Sequence, residues 1–300
     1  MAKRDRIDAV GVVALVGFSA LLGYNQVVIK VVNEGLQPVF FAGIRSAGAV
    51  VVLGLWMWAR GISVAPNART WEAGLMIGLC FSLEFVLLFT ALDLTTVSRA
   101  SVIFYSMPVW MAIGAHFLIP GSVLTPQKSL GLLIAFAGVT WAILDRPAGG
   151  ESSLLGDLLA LGAAFAWAGI GLMARGSVLK DERAEVQLMY QIVISAVVLT
   201  AISPLFGPFI RDLQPIHLWG LAFQIVIIVS FGFTAWLWLM SVYPPADVAA
   251  YSFLSPIFGV ILGWLILDEA IGVTILGALV LVALGLWLIN RPVAQVPQKV

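Results

Sequence analysis

Charged residues are scarce in this chain of 300 residues, with 16 lysines and arginines and 16 aspartates and glutamates. They make up 11% of the chain and hydrophobic residues 61%, whereas about a quarter of an ordinary soluble protein is charged. Charged residues are too few to cover the surface of a water-soluble domain. The composition therefore predicts a membrane protein surrounded by lipid. The net charge is zero, which offers no basic surface to nucleic acid.

Cysteine and histidine are almost absent. Cys80 is the only cysteine, so the chain cannot form an internal disulfide. His116 and His217 fall toward opposite ends of their apolar segments, so we expect no metal site. The chain also lacks the ATP-binding motif Gly-x-x-x-x-Gly-Lys-[Ser/Thr] and the hydrolase motifs His-Glu-x-x-His and Gly-x-Ser-x-Gly. We therefore expect no cofactor, no ATP hydrolysis and no enzymatic activity.

Long apolar segments fill the chain instead, and each is long enough for a helix to cross a bilayer. Ten are predicted, over residues 10–31, 37–59, 70–92, 98–118, 127–145, 154–174, 185–206, 216–241, 247–267 and 272–290. Short breaks rich in glycine, proline or charge separate them. The pattern predicts an all-α membrane protein with ten transmembrane helices in a single membrane domain, 1–300.

The lysines and arginines predict the orientation. With the N terminus in the cytoplasm, eleven of these residues lie in cytoplasmic segments and four in external ones. Positive residues favour the cytoplasmic side, so both termini are predicted to be cytoplasmic. Arg45 is the one basic residue left within a span.

Two similar stretches organise the chain, at 101–108 in the fourth span and 250–256 in the ninth. Each contains hydroxyls, an aromatic residue and a proline, and each is followed one span later by an Arg-Pro ending. They predict two repeats of five spans, 10–145 and 154–292. Since five is odd, the copies enter the membrane from opposite sides. Inverted repeats of this kind are typical of secondary transporters, with the substrate near the midplane.

These repeats, the short loops, the prolines of the fourth and ninth spans and the Arg-Pro endings resemble the drug/metabolite transporter superfamily, specifically its EamA-like ten-span exporters. The resemblance covers residues 10 to 292. Within the superfamily, the chain is most similar to the YddG-type exporters of aromatic amino acids. The resemblance implies an inner-membrane secondary transporter that exports aromatic or neutral amino acids and related small metabolites by alternating access.

Other function classes stay open beside this one. Export of other metabolites or drugs in exchange for protons is the nearest alternative. A membrane-embedded enzyme would need a catalytic motif, and an ion channel would usually need rings of charge or carbonyls around an axis. The sequence has neither, so the expected partners are a small-molecule substrate and the lipid bilayer, with protons as a candidate coupling ion.

Pro108 and Pro256 are the candidate hinges, one in each repeat. Proline removes a backbone donor and clashes with the preceding turn, so it kinks a helix. The freed carbonyls must be satisfied within the bilayer, and the hydroxyls of Ser106 and Ser255 lie nearby in sequence. The alternative to a hinge is a static kink that only shapes the packing.

Glu84 lies deep in the third span, where a carboxylate is costly unless it is paired, protonated or wetted. Arg45 is predicted at a similar depth, roughly 12 Å from the external end of its span at 1.5 Å per residue. The two residues therefore form either a structural ion pair, Arg45–Glu84, or a site in which Glu84 contacts a substrate amino group or carries a proton.

Further candidates for the substrate cavity are polar residues of the first span, hydroxyl and aromatic residues of the two repeated stretches, and deep tryptophans. Adjacent helical residues point about 100° apart, so only one of the polar pair in the first span can face a cavity squarely. The structural alternatives are hydrogen bonding between helices and ordinary packing. The cavity candidates are Asn25, Gln26, Glu84, Ser101, Tyr105, Trp167, Trp236, Tyr251 and Ser252.

Overall fold

A computed structural model describes residues 7–63, 68–120, 122, 124–145, 153–232, 235, 239, 242–243, 248 and 251–290. This part of the chain is almost entirely helical. The only β-type pairing within it is an isolated antiparallel bridge between Leu36 and Ile210. The prediction of an all-α protein is therefore confirmed for the described residues.

The first half forms six helices, α1 (Ala9–Gly35), α2 (Pro38–Ala59), α3 (Trp71–Leu94), α4 (Val97–Phe104), α5 (Met107–Leu118) and α6 (Pro126–Leu144). Side-chain caps define several starts. Asp8, Thr96 and Thr125 each accept a hydrogen bond from the N–H three residues later, which satisfies a backbone donor that has no partner within the helix. Pro38 and Pro126 stand at the first positions of α2 and α6, where a missing N–H costs nothing.

The second half forms α7 (Leu154–Gly176), α8 (Ala184–Ile202), α9 (Pro215–Phe223), α10 (Leu254–Leu267) and α11 (Val273–Asn290). Short 3₁₀ turns follow α7 and α8, at Val178–Asp181 and Ser203–Phe206, and a third, Tyr251–Phe253, leads directly into α10. Helix α9 continues as a π-helix over Gln224–Gly232.

Seven helical stretches within the described residues are long and apolar enough to cross a membrane, with α4 and α5 acting together as one. Three shorter apolar helices, which begin at Pro215, Leu254 and Val273, complete the set. The fold is thus that of a helical membrane protein, and the count of ten crossings stays a prediction.

The fourth span is broken where the sequence predicted a bend. Helix α4 ends at Phe104, α5 begins at Met107, and Pro108 occupies the first turn of α5. The Ser106 hydroxyl donates to the Ile103 carbonyl at 2.6 Å and accepts from Trp110 Nε1 at 3.0 Å, so it links the end of α4 to the start of α5 across the break. In the ninth span, Pro256 lies in the first turn of α10, directly after a 3₁₀ turn.

The most extensive helix packing joins the two halves of the chain, with α6 against α11, α3 against α7, α2 against α8 and α1 against α10. Glycines permit these close contacts. A Cβ at Gly131 would lie 2.8 Å from the Gly285 carbonyl oxygen, and one at Gly285 would lie 2.6 Å from that of Gly131. Small residues of this kind let helix backbones approach each other within a membrane.

Candidate functional site

A cavity of about 410 Å³ lies in the middle of the bundle. Its walls come from α1, α2, α3, the break between α4 and α5, α7, α8, the π-helix and the start of α10. Both halves of the chain therefore contribute to one central cavity. Most of the side chains that line it are apolar.

Arg45 on α2 and Glu84 on α3 bring opposite charges to the wall of this cavity. They are 6% and 2% exposed, and they attract each other electrostatically. No direct hydrogen bond joins them, and Arg45 Nε and Glu84 Oε2 have no hydrogen-bond partner among the described residues. The predicted Arg45–Glu84 ion pair thus takes the form of two neighbouring charges without direct contact.

Phenylalanine rings of α3 hold the Arg45 guanidinium. Its central carbon lies 4.7 Å from the centre of the Phe85 ring and 5.6 Å from that of Phe89. Phe81 continues the same helix face, with its ring centre 4.2 Å from that of Phe85. Stacking over aromatic rings stabilises a cation, so these rings favour the observed position of the guanidinium.

The break in the fourth span borders the cavity through Tyr105 and Pro108. The Tyr105 hydroxyl donates to the Leu22 carbonyl at 3.0 Å, which links the break to α1. Ser101 is fully buried behind this wall, where its hydroxyl donates to Gln26 Oε1 at 2.7 Å and its side chain packs against Gly259 of α10. Ser101 therefore supports the cavity wall and is not one of its lining residues.

Asn25 and Gln26 both line the cavity, although they are adjacent on α1. Asn25 Oδ1 accepts a hydrogen bond of 2.7 Å from Gln224 Nε2, at the point where α9 becomes a π-helix. Gln26 Nε2 has no hydrogen-bond partner within the described part of the chain. Gln26 therefore contributes a buried amide donor that no side chain of the described residues occupies.

The second half contributes Trp167 from α7 and Tyr251 and Ser255 from the second repeated stretch. The backbone carbonyl of Tyr251 accepts a hydrogen bond of 3.3 Å from the Ser19 hydroxyl of α1. Two other candidates, Trp236 and the side chain of Ser252, lie outside the described residues. The predicted hinge Pro256 is buried next to Ser255 and does not itself line the cavity.

One end of the cavity, the sealed end, is closed by tight packing. Val32, Phe41, Leu92 and Val97 have no exposed surface there. Lys30 reaches across from α1 and donates to the carbonyls of Leu92 and Thr95, at 3.2 and 2.9 Å. Polar contacts as well as apolar packing therefore hold this end shut.

The segment after α8 covers the sealed end. The Phe209 ring stacks on Phe40 with 4.6 Å between ring centres, and its carbonyl accepts a hydrogen bond of 2.9 Å from the Gln37 N–H. Arg211 forms an ion pair with Asp93 at the end of α3. The hydrogen bond to Asp93 raises the pKa of Arg211 above its ordinary value.

A buried polar cluster beside the sealed end was not anticipated from the sequence. Arg99, expected in an external segment, is 3% exposed and donates to Asp157 from Nη2 at 2.7 Å and from Nε at 3.1 Å. Thr95 also donates to Asp157, at 2.9 Å. Glu269 accepts from the backbone N–H groups of Val97 and Ser98 and caps the start of α4. The signal for this cluster was the isolated acidic residues at the ends of apolar segments.

The cavity extends in the opposite direction to Arg175, an exposed residue near the end of α7. Access from that end contrasts with the packing of the sealed end. Nowhere in the described ranges do three or more histidine, cysteine, aspartate or glutamate residues come together as a metal site. The chemistry that the arrangement provides is recognition of a small molecule by buried charges, amides and aromatic rings.

Known proteins resemble the chain over nearly its full length. The model of the EamA-like transporter family matches residues 9–144 and again residues 154–291. The uncharacterized transporter YoaV of Bacillus subtilis is 22% identical, over 91% of this chain and 94% of its own. A probable amino-acid metabolite efflux pump of Escherichia coli is 27% identical, over 96% and 95%.

A crystal structure with 21% sequence identity shares the fold, with a TM-score of 0.65 over 91% of this chain and 94% of the other. The two family matches together span most of the chain. With its apolar helices, the chain is a multi-pass protein of the inner membrane, and it belongs to the EamA-like transporter family of the drug/metabolite transporter superfamily.

Proposed function

We propose that this protein exports amino acids and related small metabolites from the cytoplasm by alternating access. The observation that carries the proposal is a central cavity between the two halves. The cavity is closed at the sealed end, and at its other end it extends to the exposed residue Arg175. A carrier needs this geometry in each of its end states, because a site open to both sides at once would leak.

Helix packing supports two inverted five-span repeats over 10–145 and 154–292. If the two repeats are equivalent, span one corresponds to span six and span four to span nine. A contact between spans one and nine should then be matched by a contact between spans six and four. Both contacts exist, as α1 against α10 and α7 against α4 and α5. The same correspondence relates α3 against α7 to α1 against α9, and these contacts also exist. The separate family matches to 9–144 and 154–291 agree with the duplication.

The orientation follows from ten crossings with both termini in the cytoplasm, which the distribution of lysine and arginine favours. The sealed end is then external and Arg175 cytoplasmic. The structure would correspond to the inward-facing state, in which an exporter accepts its substrate.

The size and lining of the cavity suit a small metabolite. Its volume of about 410 Å³ falls within the range of about 300–1,000 Å³ that is usual for ligand pockets. Phe81, Phe85 and Trp167 provide apolar and aromatic surface for a substrate side chain. The name of the Escherichia coli relative, a probable amino-acid metabolite efflux pump, also points to amino-acid metabolites. Aromatic and neutral amino acids are therefore the substrates that we propose.

Pro108 and Pro256 serve in this proposal as paired hinges. Both stand in the first turn of a helix, directly after an irregular stretch, and both adjoin the cavity wall. Bending at these two points would close one end of the cavity as the other opens.

Coupling is either downhill facilitation or exchange for protons, and Glu84 is the candidate proton carrier because it is a carboxylate on the cavity wall. Proteoliposomes that contain the purified protein test the function. We expect uptake of labelled aromatic or neutral amino acids above that of protein-free liposomes. If none of the twenty amino acids moves, export of amino acids is excluded. If an imposed pH gradient accelerates uptake, the Glu84→Gln protein should lose that acceleration.

A further inference from the structure

We propose that Arg45 and Glu84 form a clamp for a zwitterion, in which Arg45 binds a carboxylate and Glu84 an ammonium group of the same molecule. This inference rests on the proposed function and names the chemistry of the substrate head group. It assigns both residues to recognition, where the sequence alone left a structural ion pair equally open.

Burial without direct pairing is the first argument. A charge removed from water is costly unless a partner compensates it. Arg45 and Glu84 are almost fully buried, yet Arg45 Nε and Glu84 Oε2 have no hydrogen-bond partner among the described residues. A structural ion pair would satisfy these atoms with each other. A ligand that carries both complementary groups compensates the two buried charges instead.

The position of the two residues is the second argument. They come from neighbouring helices, line the same cavity and are close enough to attract each other. An α-amino acid carries its carboxylate and ammonium groups on one carbon atom, so a single small molecule can present a charge to each residue. The combined charge of the pair is zero, which matches a neutral zwitterion better than a net anion or cation.

The fixed orientation of Arg45 is the third argument. Its guanidinium stacks over Phe85, at 4.7 Å, and Phe89, at 5.6 Å, which holds the planar group in place. A guanidinium presents a rigid fork of donors that fits a carboxylate with two parallel hydrogen bonds. A preoriented fork loses less conformational entropy on binding than a mobile lysine would.

Gln26 adds a neutral donor to the same cavity. Ser101 donates to its Oε1 at 2.7 Å, and its Nε2 has no partner in the described part of the chain. The amide is therefore held by one end and leaves its donor for a ligand carboxylate or carbonyl. Ser101, although it does not line the cavity, positions this amide.

Binding to the purified protein in detergent, measured by calorimetry, tests the clamp without any transport step. The ligands are L-phenylalanine, 2-phenylethylamine, which lacks the carboxylate, and 3-phenylpropanoate, which lacks the ammonium group, with the corresponding sets for leucine and methionine. We expect the amino acid to bind about tenfold or more tightly than either analogue, because an unmatched buried charge costs at least that much.

Three variants assign the two charges. Arg45→Gln removes the group that binds the carboxylate, so L-phenylalanine should no longer bind more tightly than 2-phenylethylamine. Glu84→Gln removes the group that binds the ammonium, so L-phenylalanine should no longer bind more tightly than 3-phenylpropanoate. The double variant leaves no buried charge unpaired and should bind all three ligands about equally. Arg60→Gln removes the same charge from the exposed end of the same helix and serves as the control.

Equal binding of the amino acid and its analogues by the unmodified protein would overturn the clamp, and so would the absence of binding by every amino acid tested. If the variants fold and retain the unmodified preference, Arg45 and Glu84 are not the recognising groups. Amino-acid binding with the expected pattern but no movement in proteoliposomes would instead overturn the proposed export and leave the clamp standing.

Discussion

Arg211 and Asp93 form a two-pronged ion pair at the sealed end of the cavity, with Nη1 2.6 Å from Oδ1 and Nη2 2.9 Å from Oδ2. Arg211 Nη1 also donates to the Asn33 carbonyl at 2.9 Å. The pair fastens the segment after α8 to the end of α3, and so joins the two halves of the chain. Its side chains are 38% and 22% exposed, so water can replace the contact when this end opens.

Loss of this ion pair is predicted to favour opening of the sealed end. Asp93→Asn should raise the labelling rate of a cysteine placed at the buried position Leu36, in a protein whose Cys80 is replaced by serine. A partly exposed pair contributes up to about 1 kcal/mol, so the increase should reach about fivefold.

High salt screens the pair and should reduce the difference between Asp93→Asn and the unmodified protein. Asp212→Asn is the matched control, because Asp212 is an exposed neighbour of Arg211 that forms a side-chain contact with Gln214. Unchanged labelling in Asp93→Asn would show that the ion pair does not hold this end shut.

The buried pair of Arg99 and Asp157 is predicted to stabilise the fold. Asp157→Asn leaves the Arg99 charge buried without its partner, which typically costs about 3–5 kcal/mol. Thermal unfolding of the detergent-solubilised protein should show a clear fall in Tm. Arg183→Gln removes the well-exposed member of a pair whose other member, Glu185, is largely buried, and it should lower Tm less than Asp157→Asn, since pairs with an exposed member contribute about 1 kcal/mol or less. Equal effects of the two substitutions would contradict the assignment.

The crossing of α1 and α10 is predicted to tolerate no added methyl group. A Cβ at Gly23 would lie 2.8 Å from the backbone nitrogen of Gly259, and backbone cannot move aside as a flexible side chain can. Gly23→Ala should therefore destabilise the protein by about 1–3 kcal/mol, as measured by Tm and by folded yield. Gly54→Ala, where no atom lies within 4 Å of the added carbon, is the control. A Tm for Gly23→Ala as high as that of the control would refute the close packing.

Pro108 is predicted to affect the transport rate more than substrate binding. Pro108→Ala restores a backbone donor and lets α4 and α5 approach one continuous helix, which should slow the bending step. We expect Kd for an exported amino acid to change little while the maximal uptake rate falls several-fold. Pro126→Ala, at the start of α6, is the control because that proline follows a loop outside the cavity wall. A purely static kink would leave the uptake rate unchanged.

Much of the fold is predictable from the sequence, because bilayer thickness dictates helix length and local residues set the ends. The predicted start of the sixth span at residue 154 matches Leu154, where the Ser153 hydroxyl caps the helix. The break near Pro108 follows from proline chemistry in the same way. The π-helix after Phe223 was not predicted, since Gln224 bonds to Asn25, which is distant in sequence.

The candidate site was predictable only in part. Deep polar residues such as Glu84 and Arg45 stand out in an apolar chain, and the cavity includes both. Whether a residue lines the cavity or lies behind its wall depends on neighbouring helices, which is why Ser101 was misplaced. Arg99 lies near the end of a span, so the sequence alone indicates an external residue. Its burial depends on an ion pair with Asp157, which belongs to the other half of the chain.

Alternating exposure of one cavity is tested most directly by counterflow. Proteoliposomes are loaded with an unlabelled amino acid, and the entry of a trace of the labelled amino acid is followed against empty proteoliposomes. A carrier of this kind should show uptake that is faster in the loaded vesicles and passes through a transient maximum, because each outward step returns the cavity for a labelled molecule. Uptake that is unaffected by loading and does not saturate would indicate a pore and contradict alternating access.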